Sequence, residues 1–134
     1  MRLRDILDVI PARPISAALN LDIEVKGGFA ADLMSDALRY NLRQALLVSG
    51  LANLQVVRTA EMVDVAAILM VRDKTPPPET LELAEEVGIP FLCTELTMFE
   101  ACGRLFAAGL QPCRRWEGQK AKPGHALEVN REPL

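Results

Sequence analysis

The chain has 134 residues, half of them hydrophobic, and 15 lysines and arginines against 18 aspartates and glutamates give a net charge of −3. That length suits one domain with its own core. The acidic balance offers no positive field to attract phosphates, so a nucleic-acid partner is disfavoured. No apolar run approaches the roughly 20 residues of a membrane helix, and Asp5 and Asp8 interrupt the N-terminal segment where a signal peptide would be apolar. We therefore expect a cytoplasmic protein with no membrane partner.

Cysteine and histidine usage argues against metal or redox chemistry. Cys93, Cys102 and Cys113 are odd in number and include no CxxC pair, which is typical neither of a disulfide framework nor of a zinc site. The one histidine, His125, lies near the C-terminus. The sequence predicts no metal and no cofactor.

The first 30 residues predict a helix and a strand. Residues 1–10 place apolar side chains at helical spacing until Pro11 ends the pattern. Residues 20–30 alternate apolar and polar side chains and then reach Gly27 and Gly28. This pattern predicts a half-exposed strand that ends in a bend or bulge at the glycines.

The next segment, residues 32–44, has a weaker helical pattern. Its sequence is DLMSDALRYNLRQ. We expect a helix or helical turns here, with Leu33, Ala37 and Tyr40 on one side.

Three short apolar runs follow, separated by amphipathic segments. They are ALLVS at 45–49, VAAILMV at 65–71 and PFLC at 90–93. Strands that are apolar on both faces and alternate with helices are typical of a parallel sheet covered on both sides. The predicted fold class is α/β, with a mostly parallel sheet built from consecutive βαβ units, helices on both faces and an N-terminal amphipathic helix.

The predicted helices carry recognisable start and stop residues. Asn53 is placed to cap the helix after the first run, and Gly88 to end the helix before the third. Thr97 and Glu100 match a capping box, in which each side chain accepts from the other residue's amide.

The composition changes after Leu110. Residues 1–110 are predicted to form the domain, and residues 111–134 a C-terminal tail that is flexible or docked on a partner. Within this tail Arg114, Arg115 and Trp116 form either an interaction patch or a solvated stretch.

Residues 21–110 resemble the DRTGG domain family. The resemblance is carried by GGFAADLMSDAL at 27–38, by the segment 53–94 that begins NLQVVRTAEMVD, and by LTMFEACGRLFAAGL at 96–110. It implies a regulatory domain similar to the N-terminal domain of HPr kinase/phosphorylase. No DRTGG pentapeptide is present, since residues 49–52 read SGLA, and there is no GxxxxGK(S/T) phosphate loop to support a kinase.

The carboxyl ends of the predicted parallel strands are the first candidate site. Ligands bind at this edge in open α/β sheets, where helix N-termini favour anions. Arg58, one turn into its helix, is placed to reach a bound phosphate or carboxylate. The alternative is that the polar residues here are ordinary caps. The residues predicted at this edge are Ser49, Gly50, Asn53, Arg72, Asp73, Thr94 and Glu95.

A second cluster, Asp32, Ser35 and Asp36, follows the glycine bend. It is either a polar mouth or cation site beside the sheet, or a set of ordinary turn and helix-start residues. We keep Asp32 and Ser35 with the strand-end residues as ligand-binding candidates.

Three functions remain open. The first is a non-catalytic regulatory or ligand-binding module that senses a small anionic metabolite or nucleotide and acts on an unidentified partner protein. The second is a structural interaction domain that forms a homodimer through apolar helix faces. The third is a small enzyme using Asp32 and Asp36, which the sequence favours least because no nucleophile and base stand together.

Overall fold

A computed structural model describes residues 1–16 and 19–116. Within them, the helices are α1 (Leu3–Val9), α2 (Met34–Ala37), α3 (Leu54–Met62), α4 (Pro78–Val87) and α5 (Met98–Ala107). The strands are β1 (Ala12–Pro14), β2 (Gly27–Ala30), β3 (Ala45–Ser49), β4 (Ala67–Met70) and β5 (Phe91–Thr94). None of these helices has the length and apolar character needed to cross a membrane.

The strands form one sheet in the order β1-β5-β4-β3-β2. The last four strands in this order are parallel, with Leu46 beside Ala67 and Ile68 beside Phe91. β1 is an antiparallel edge strand on β5. Every residue of β3, β4 and β5 is buried, as expected for parallel strands covered on both faces. The predicted α/β fold is confirmed.

Two helical layers cover the sheet. Along β3, Leu47 belongs to one layer and Leu46 and Val48 to the other, because side chains alternate across a strand. The first layer packs α2, α3 and α4 on the sheet through Met34, Ala37, Val56, Val57, Ala60 and Ala84. The second packs α1 and α5 through Leu3, Ile6, Ala101 and Leu105.

Most of the predicted helix boundaries are confirmed. The Asn53 side chain accepts from the Gln55 amide at 3.0 Å, and Gly88 ends α4 at φ 75°, in the left-handed region that favours glycine. The capping box at α5 is half present. Thr97 accepts from the Glu100 amide at 3.2 Å, but the Glu100 carboxylate accepts from Arg104 at 3.0 Å instead of reaching back.

The strand predicted over residues 20–30 was placed wrongly. The pairing starts at Gly27, so the two glycines begin β2 and do not end a strand. The preceding backbone instead satisfies the free amides of α1, since the Ile23 carbonyl accepts from Leu3 and the Leu21 carbonyl from Arg4, both at 3.0 Å. A Cβ at position 27 would lie 3.1 Å from the Cys113 sulfur and from the Gln111 carbonyl oxygen, so a larger residue there requires this segment to shift by a few tenths of an ångström.

The helical segment predicted over residues 32–44 is shorter than expected. α2 has four residues, and its inner side chains are Met34 and Ala37. The grouping of Leu33 with Ala37 on one side was wrong, because the Leu33 side chain is 62% exposed and Ala37 is fully buried. Tyr40 is half-buried, with its ring centroid 4.9 Å from that of Phe29.

The chain continues along the edge of the sheet after Leu110. The Gly28 amide donates to the Gln111 carbonyl at 2.9 Å, and the Cys113 amide donates to the Gly28 carbonyl at 3.0 Å. The Asn41 amide then donates to the Arg114 carbonyl at 2.9 Å. Residues 111–115 therefore pair with the domain. Residues 117–134 of the predicted tail lie outside the described residues.

Two methionines offer a matched test of this core. Met70 in β4 is fully buried, whereas Met62 at the end of α3 is 70% exposed. We expect Met70→Ala to lower the free energy of unfolding by about 2–5 kcal/mol, because it leaves a cavity between the sheet and its helices. Met62→Ala should change it by no more than about 0.5 kcal/mol. Urea unfolding of both variants checks this, and equal losses would contradict the assigned burial.

Candidate functional site

Asp32 lies at the centre of a polar cluster at the carboxyl ends of β2, β3 and β4. Its Oδ1 accepts from the Gly50 amide at 2.7 Å and from the Ser49 hydroxyl at 3.4 Å. Its Oδ2 accepts from the Arg72 guanidinium at 3.2 Å. The structure therefore joins one residue of the second predicted cluster to the strand-end residues.

The sheet register explains why these residues meet. The Ala31 amide donates to the Val48 carbonyl at 3.0 Å, which continues the pairing of β2 with β3 and places Asp32 beside the end of β3. The Val71 amide donates to the Ser49 carbonyl at 3.0 Å and does the same for the segment after β4. Parallel strands end at the same edge, so residues 40 positions apart in sequence become neighbours.

The Arg72 guanidinium packs directly against the backbone of Gly50. A Cβ at position 50 would overlap the Arg72 guanidinium, so any larger residue there requires Arg72 to move. Absence of a side chain thus permits both the close approach of Arg72 and the free presentation of the Gly50 amide to Asp32.

The backbone that carries Arg72 is held in an uncommon conformation. Arg72 and Asp73 are consecutive left-handed residues, at φ 61° and 52°. Their amides donate to the Leu96 and Thr94 carbonyls at 2.8 and 2.9 Å, which hold this turn against the end of β5. Left-handed non-glycine residues cost about 1–3 kcal/mol each and cluster at functional sites.

The Asp32 carboxyl has a lowered pKa, and the cluster is open to solvent. The hydrogen bond from the Gly50 amide lowers the pKa of the Asp32 carboxyl most, partial burial opposes this shift, and Arg72 and Ser49 lower it further. The side chains of Asp32 and Arg72 remain 52% and 39% exposed. A dissolved anion can therefore reach the guanidinium without any rearrangement of the core.

Other predicted residues have mainly structural contacts. The buried Thr94 hydroxyl donates to the Pro11 carbonyl at 3.0 Å and accepts from the Leu96 amide at 3.3 Å. Asn53 caps α3, and Ser35 lies exposed on α2. Arg58 is exposed on α3, and no hydrogen bond or ion pair within the described part of the chain involves it.

The cation-site alternative gains no support. Across residues 1–16 and 19–116, no three histidine, cysteine, aspartate or glutamate side chains lie together as metal ligands would. Asp32 is engaged by hydrogen-bond donors, and Asp36 is not among its partners. His125 lies outside the described residues.

The cysteines are in environments that suppress thiolate formation. Burial raises the pKa of the Cys113 thiol to about 11 and also raises the pKa values of Cys93 and Cys102. The Cys93 thiol is buried and donates to the Lys74 carbonyl at 3.2 Å. Since the thiolate is the reactive form, the three side chains fit the role of small hydrophobic residues.

The arginine pair near the C-terminus contacts the domain itself. The Arg115 guanidinium lies 5.9 Å from the centre of the Tyr40 ring, within reach of a cation–π interaction. Trp116 is half-exposed.

Two grooves lie away from the Asp32 cluster. One of about 280 Å³ is at the amino-terminal edge of the sheet, between Gln44 and Gly88. The other, of about 460 Å³, is lined by β2, the end of β3 and α5. Neither includes Arg72 in its walls.

Comparison with known proteins gives a fold but no family. No family model matches the chain, and no curated protein matches it. A similar solved structure is that of the CBS and DRTGG domains of the regulatory region of Clostridium perfringens pyrophosphatase, complexed with its activator diadenosine tetraphosphate. The TM-score is 0.65 at 17% sequence identity, and the match covers 96% of this chain.

The fold is DRTGG-like. At 17% identity the likeness shows the fold alone, and this chain spans 58% of the length of the neighbour. The neighbour is a regulatory region that binds a nucleotide activator. The expected resemblance to DRTGG domains is thus supported in its architecture, while membership of that family stays a prediction.

The pKa of Asp32 can be measured directly. We expect its carboxyl to titrate below the usual value of about 3.9, and Arg72→Ala to raise its pKa only part of the way, because the Gly50 amide remains. Carbon-detected NMR of the side-chain carboxyl across acidic pH checks both. A midpoint at or above the usual value in the wild-type protein would contradict the hydrogen bonding described.

The same shift predicts how stability depends on pH. A carboxyl with a lowered pKa in the folded state stabilises that state above its unfolded pKa and loses this contribution as pH falls through the folded value. The difference in unfolding free energy between wild type and Asp32→Asn should therefore be constant near neutral pH and shrink below about pH 4. Urea unfolding at a series of pH values measures it, and a difference that grows on acidification would refute the assignment.

Proposed function

We propose that this chain is a non-catalytic regulatory module that binds a small anionic metabolite or nucleotide at the carboxyl-terminal edge of its sheet. The observation that carries the proposal is the position of the Asp32 carboxylate on the Gly50 amide and the Arg72 guanidinium. A carboxylate is itself an anion. An amide and a guanidinium that hold it form a receptor for an anionic oxygen.

A phosphate group can compete for this receptor. Arg72 offers a planar fork of donors that suits a phosphate, and a phosphate brings more charge and more acceptor oxygens than Asp32 does. The Asp32–Arg72 pair is half-exposed, and exposed ion pairs are worth about 0–1 kcal/mol. Separating Asp32 from Arg72 therefore costs little free energy, and the hydrogen bond that Asp32 gives up at the Gly50 amide is replaced by one to the incoming anion.

Displacement of Asp32 also provides a signal. When an incoming anion takes the Gly50 amide and Arg72, the Asp32 side chain is released from the ends of β3 and β4. This changes an exposed segment of the surface without disturbing the core, which is what a module acting on a partner protein requires.

The location and the neighbour support this reading. Ligands of open α/β sheets bind outside the carboxyl ends of the strands, and the consecutive left-handed residues Arg72 and Asp73 lie at that edge. The DRTGG-like neighbour comes from a regulatory region with a phosphate-rich activator, which guides the choice of compounds to test.

The chemistry of the cluster favours binding over catalysis. An acid or base that works near neutral pH needs a carboxyl pKa raised toward 7, whereas the pKa of Asp32 is lowered. The three thiols have raised pKa values, which disfavours a cysteine nucleophile. The alternative of a small enzyme using Asp32 and Asp36 is therefore the less supported one.

Isothermal calorimetry with inorganic phosphate, acetyl phosphate, ATP and diadenosine tetraphosphate tests the proposal. Loss of a charge-assisted hydrogen bond costs about 1.5–3 kcal/mol, so Arg72→Ala should weaken binding about ten- to a hundredfold. Asp32→Asn should strengthen it severalfold, because the competing charge is removed.

Arg43→Ala is the matched control. Arg43 forms a similar surface pair with Asp64 at 3.7 Å, but precedes β3 and so lies at the opposite edge of the sheet. Its replacement removes the same charge and should leave affinity within about twofold, since it tests only long-range attraction. Absence of binding by all four compounds at millimolar concentration, or equal losses in the two arginine variants, would disprove the proposed site.

A further inference from the structure

The carboxyl ends of β4 and β5 lie where the helical connections of the sheet change face. The chain leaves β4 for α4, which packs on one face of the sheet through Ala84. It leaves β5 for α5, which packs on the opposite face through Ala101 and Leu105. In open α/β sheets, ligands bind in the crevice between the carboxyl ends of strands whose connections diverge in this way. The residues after β4 and β5 are therefore placed to contact a ligand.

A second arginine–aspartate pair lies at this crevice. The Arg13 guanidinium, from β1, donates to the Asp73 carboxylate at 3.4 Å. Asp73 directly follows Arg72, and its amide donates to the Thr94 carbonyl at the end of β5 at 2.9 Å. The side chains of Arg13 and Asp73 are 58% and 54% exposed. This pair therefore repeats the half-exposed arrangement of Arg72 with Asp32.

Arg13 and Ser49 face the same side of the sheet. Phe91 belongs to the layer that packs against α2, α3 and α4, so Cys93, two residues further along β5, faces that layer as well. Arg13 is the partner of Cys93 across the β1–β5 register and shares its face. Burial raises the pKa of this thiol, and the nearby Arg13 charge lowers it. By the same alternation along β3, Ser49, which donates to Asp32, faces this layer too.

We propose that Arg13 and Arg72 together bind a ligand with a chain of linked phosphates, whose outer phosphate groups take the places of the Asp73 and Asp32 carboxylates. This inference rests on the anion site proposed above and names the chemical class of its ligand. Either a free polyphosphate or the phosphate chain of a nucleotide has this chemistry.

The distance between the two guanidiniums selects a chain over a single phosphate. The Arg72 guanidinium packs against Gly50, just after β3, whereas Arg13 reaches the ends of β4 and β5 from β1. The two guanidiniums therefore lie on either side of the end of β4, about two strand spacings or roughly 10 Å apart. One phosphate group is too small to accept hydrogen bonds from both across this gap, but phosphates linked through shared oxygens can do so.

The charges of the two pairs suit a polyanion. Each guanidinium is balanced by one carboxylate, so the four side chains together carry no net charge. A phosphate chain brings several negative charges on one molecule and replaces both carboxylates at once. The two contacts reinforce each other, because binding of the first phosphate holds the second close to its own arginine.

Calorimetry of the full chain with orthophosphate and tripolyphosphate, at one fixed ionic strength, tests the proposal. We expect tripolyphosphate to bind more tightly by roughly tenfold or more. Arg13→Ala should weaken tripolyphosphate binding about tenfold and change orthophosphate binding by no more than about twofold, because only the longer ligand reaches Arg13. Asp73→Asn should strengthen tripolyphosphate binding severalfold, because it removes a competing carboxylate.

ATP, titrated as a third ligand, identifies the source of the phosphate chain. Binding of ATP that is at least as tight as that of tripolyphosphate, and that Arg13→Ala weakens to the same extent, indicates a nucleotide. Tighter binding of tripolyphosphate indicates a free polyphosphate.

Arg43→Ala is again the matched control, because it removes the same charge at the opposite edge of the sheet. The Arg13 side chain is exposed, so the fold should persist in Arg13→Ala, which circular dichroism verifies. Equal affinity for orthophosphate and tripolyphosphate would overturn the proposal. So would a loss of tripolyphosphate binding in Arg13→Ala that is no larger than the loss in Arg43→Ala.

The variants separate this inference from the proposed function. If both phosphates depend on Arg72 and neither depends on Arg13, the anion site stands and the phosphate-chain ligand is wrong. If tripolyphosphate depends on Arg13 but not on Arg72, the proposed site at Asp32 is wrong, and the bridging ligand with it. Absence of binding by all three compounds at millimolar concentration would overturn both.

Discussion

Burial of β3, β4 and β5 on both faces is the constraint on which the rest of the structure depends. Side chains of these strands alternate between two apolar layers, so each face needs its own helices. α2, α3 and α4 cover one face, and α1 and α5 the other. Polar groups are then confined mainly to the strand ends and the outer helix surfaces, and the proposed anion site lies at the strand ends.

At the strand ends, this constraint produces the polar cluster that we propose as an anion receptor. The Gly50 amide and the Arg72 side chain lie side by side at the ends of β3 and β4. The Asp32 carboxylate, from the segment after β2, accepts hydrogen bonds from both. Gly50 permits this contact because it has no side chain to separate the two charged groups. Both donors of the proposed receptor are therefore already in place, and the Asp32 carboxylate that they bind is half-exposed.

On the α1 and α5 face, coverage is incomplete near β2. β2 lies at the edge of the sheet, and its outer backbone pairs with Gln111 and Cys113. The side chains of this edge remain beside α5 as the walls of the larger groove.

Sequence patterns predicted the strands that are buried on both faces. They missed the segments whose structure depends on hydrogen bonds to one particular neighbouring element. The three apolar runs are buried throughout, so their composition alone indicates central strands. Residues 21–25 alternate like a strand, but the carbonyls of Leu21 and Ile23 accept from amides in the first turn of α1. The alternation of apolar residues does not indicate which backbone groups these residues bond to. Likewise Met34 faces the core and Leu33 does not, because α2 begins at Met34, two residues after the start of the predicted segment, and Leu33 is its extended N-cap residue.

The candidate site was predicted in two halves. Ser49, Gly50 and Arg72 were expected at the strand ends because each lies at or directly after the end of an apolar run. Asp32 was assigned to a separate cluster with Ser35 and Asp36. Their union depends on β2 lying beside β3 in a particular register, which the sequence pattern of a four-residue strand cannot specify. The glycine after the first apolar run was the available signal, since a close approach of another group is a common reason for glycine there.

The amide resonance of Gly50 offers the most direct measurement of the central claim, that an anion can take the place of the Asp32 carboxylate. Two-dimensional NMR of the wild-type protein, titrated with inorganic phosphate and with diadenosine tetraphosphate, follows this amide and the Arg72 side-chain resonance together. The proposal predicts that both shift with one saturating curve and that the Asp32 amide shifts with them. Saturable shifts confined to other parts of the domain, with Gly50 unmoved, would contradict it.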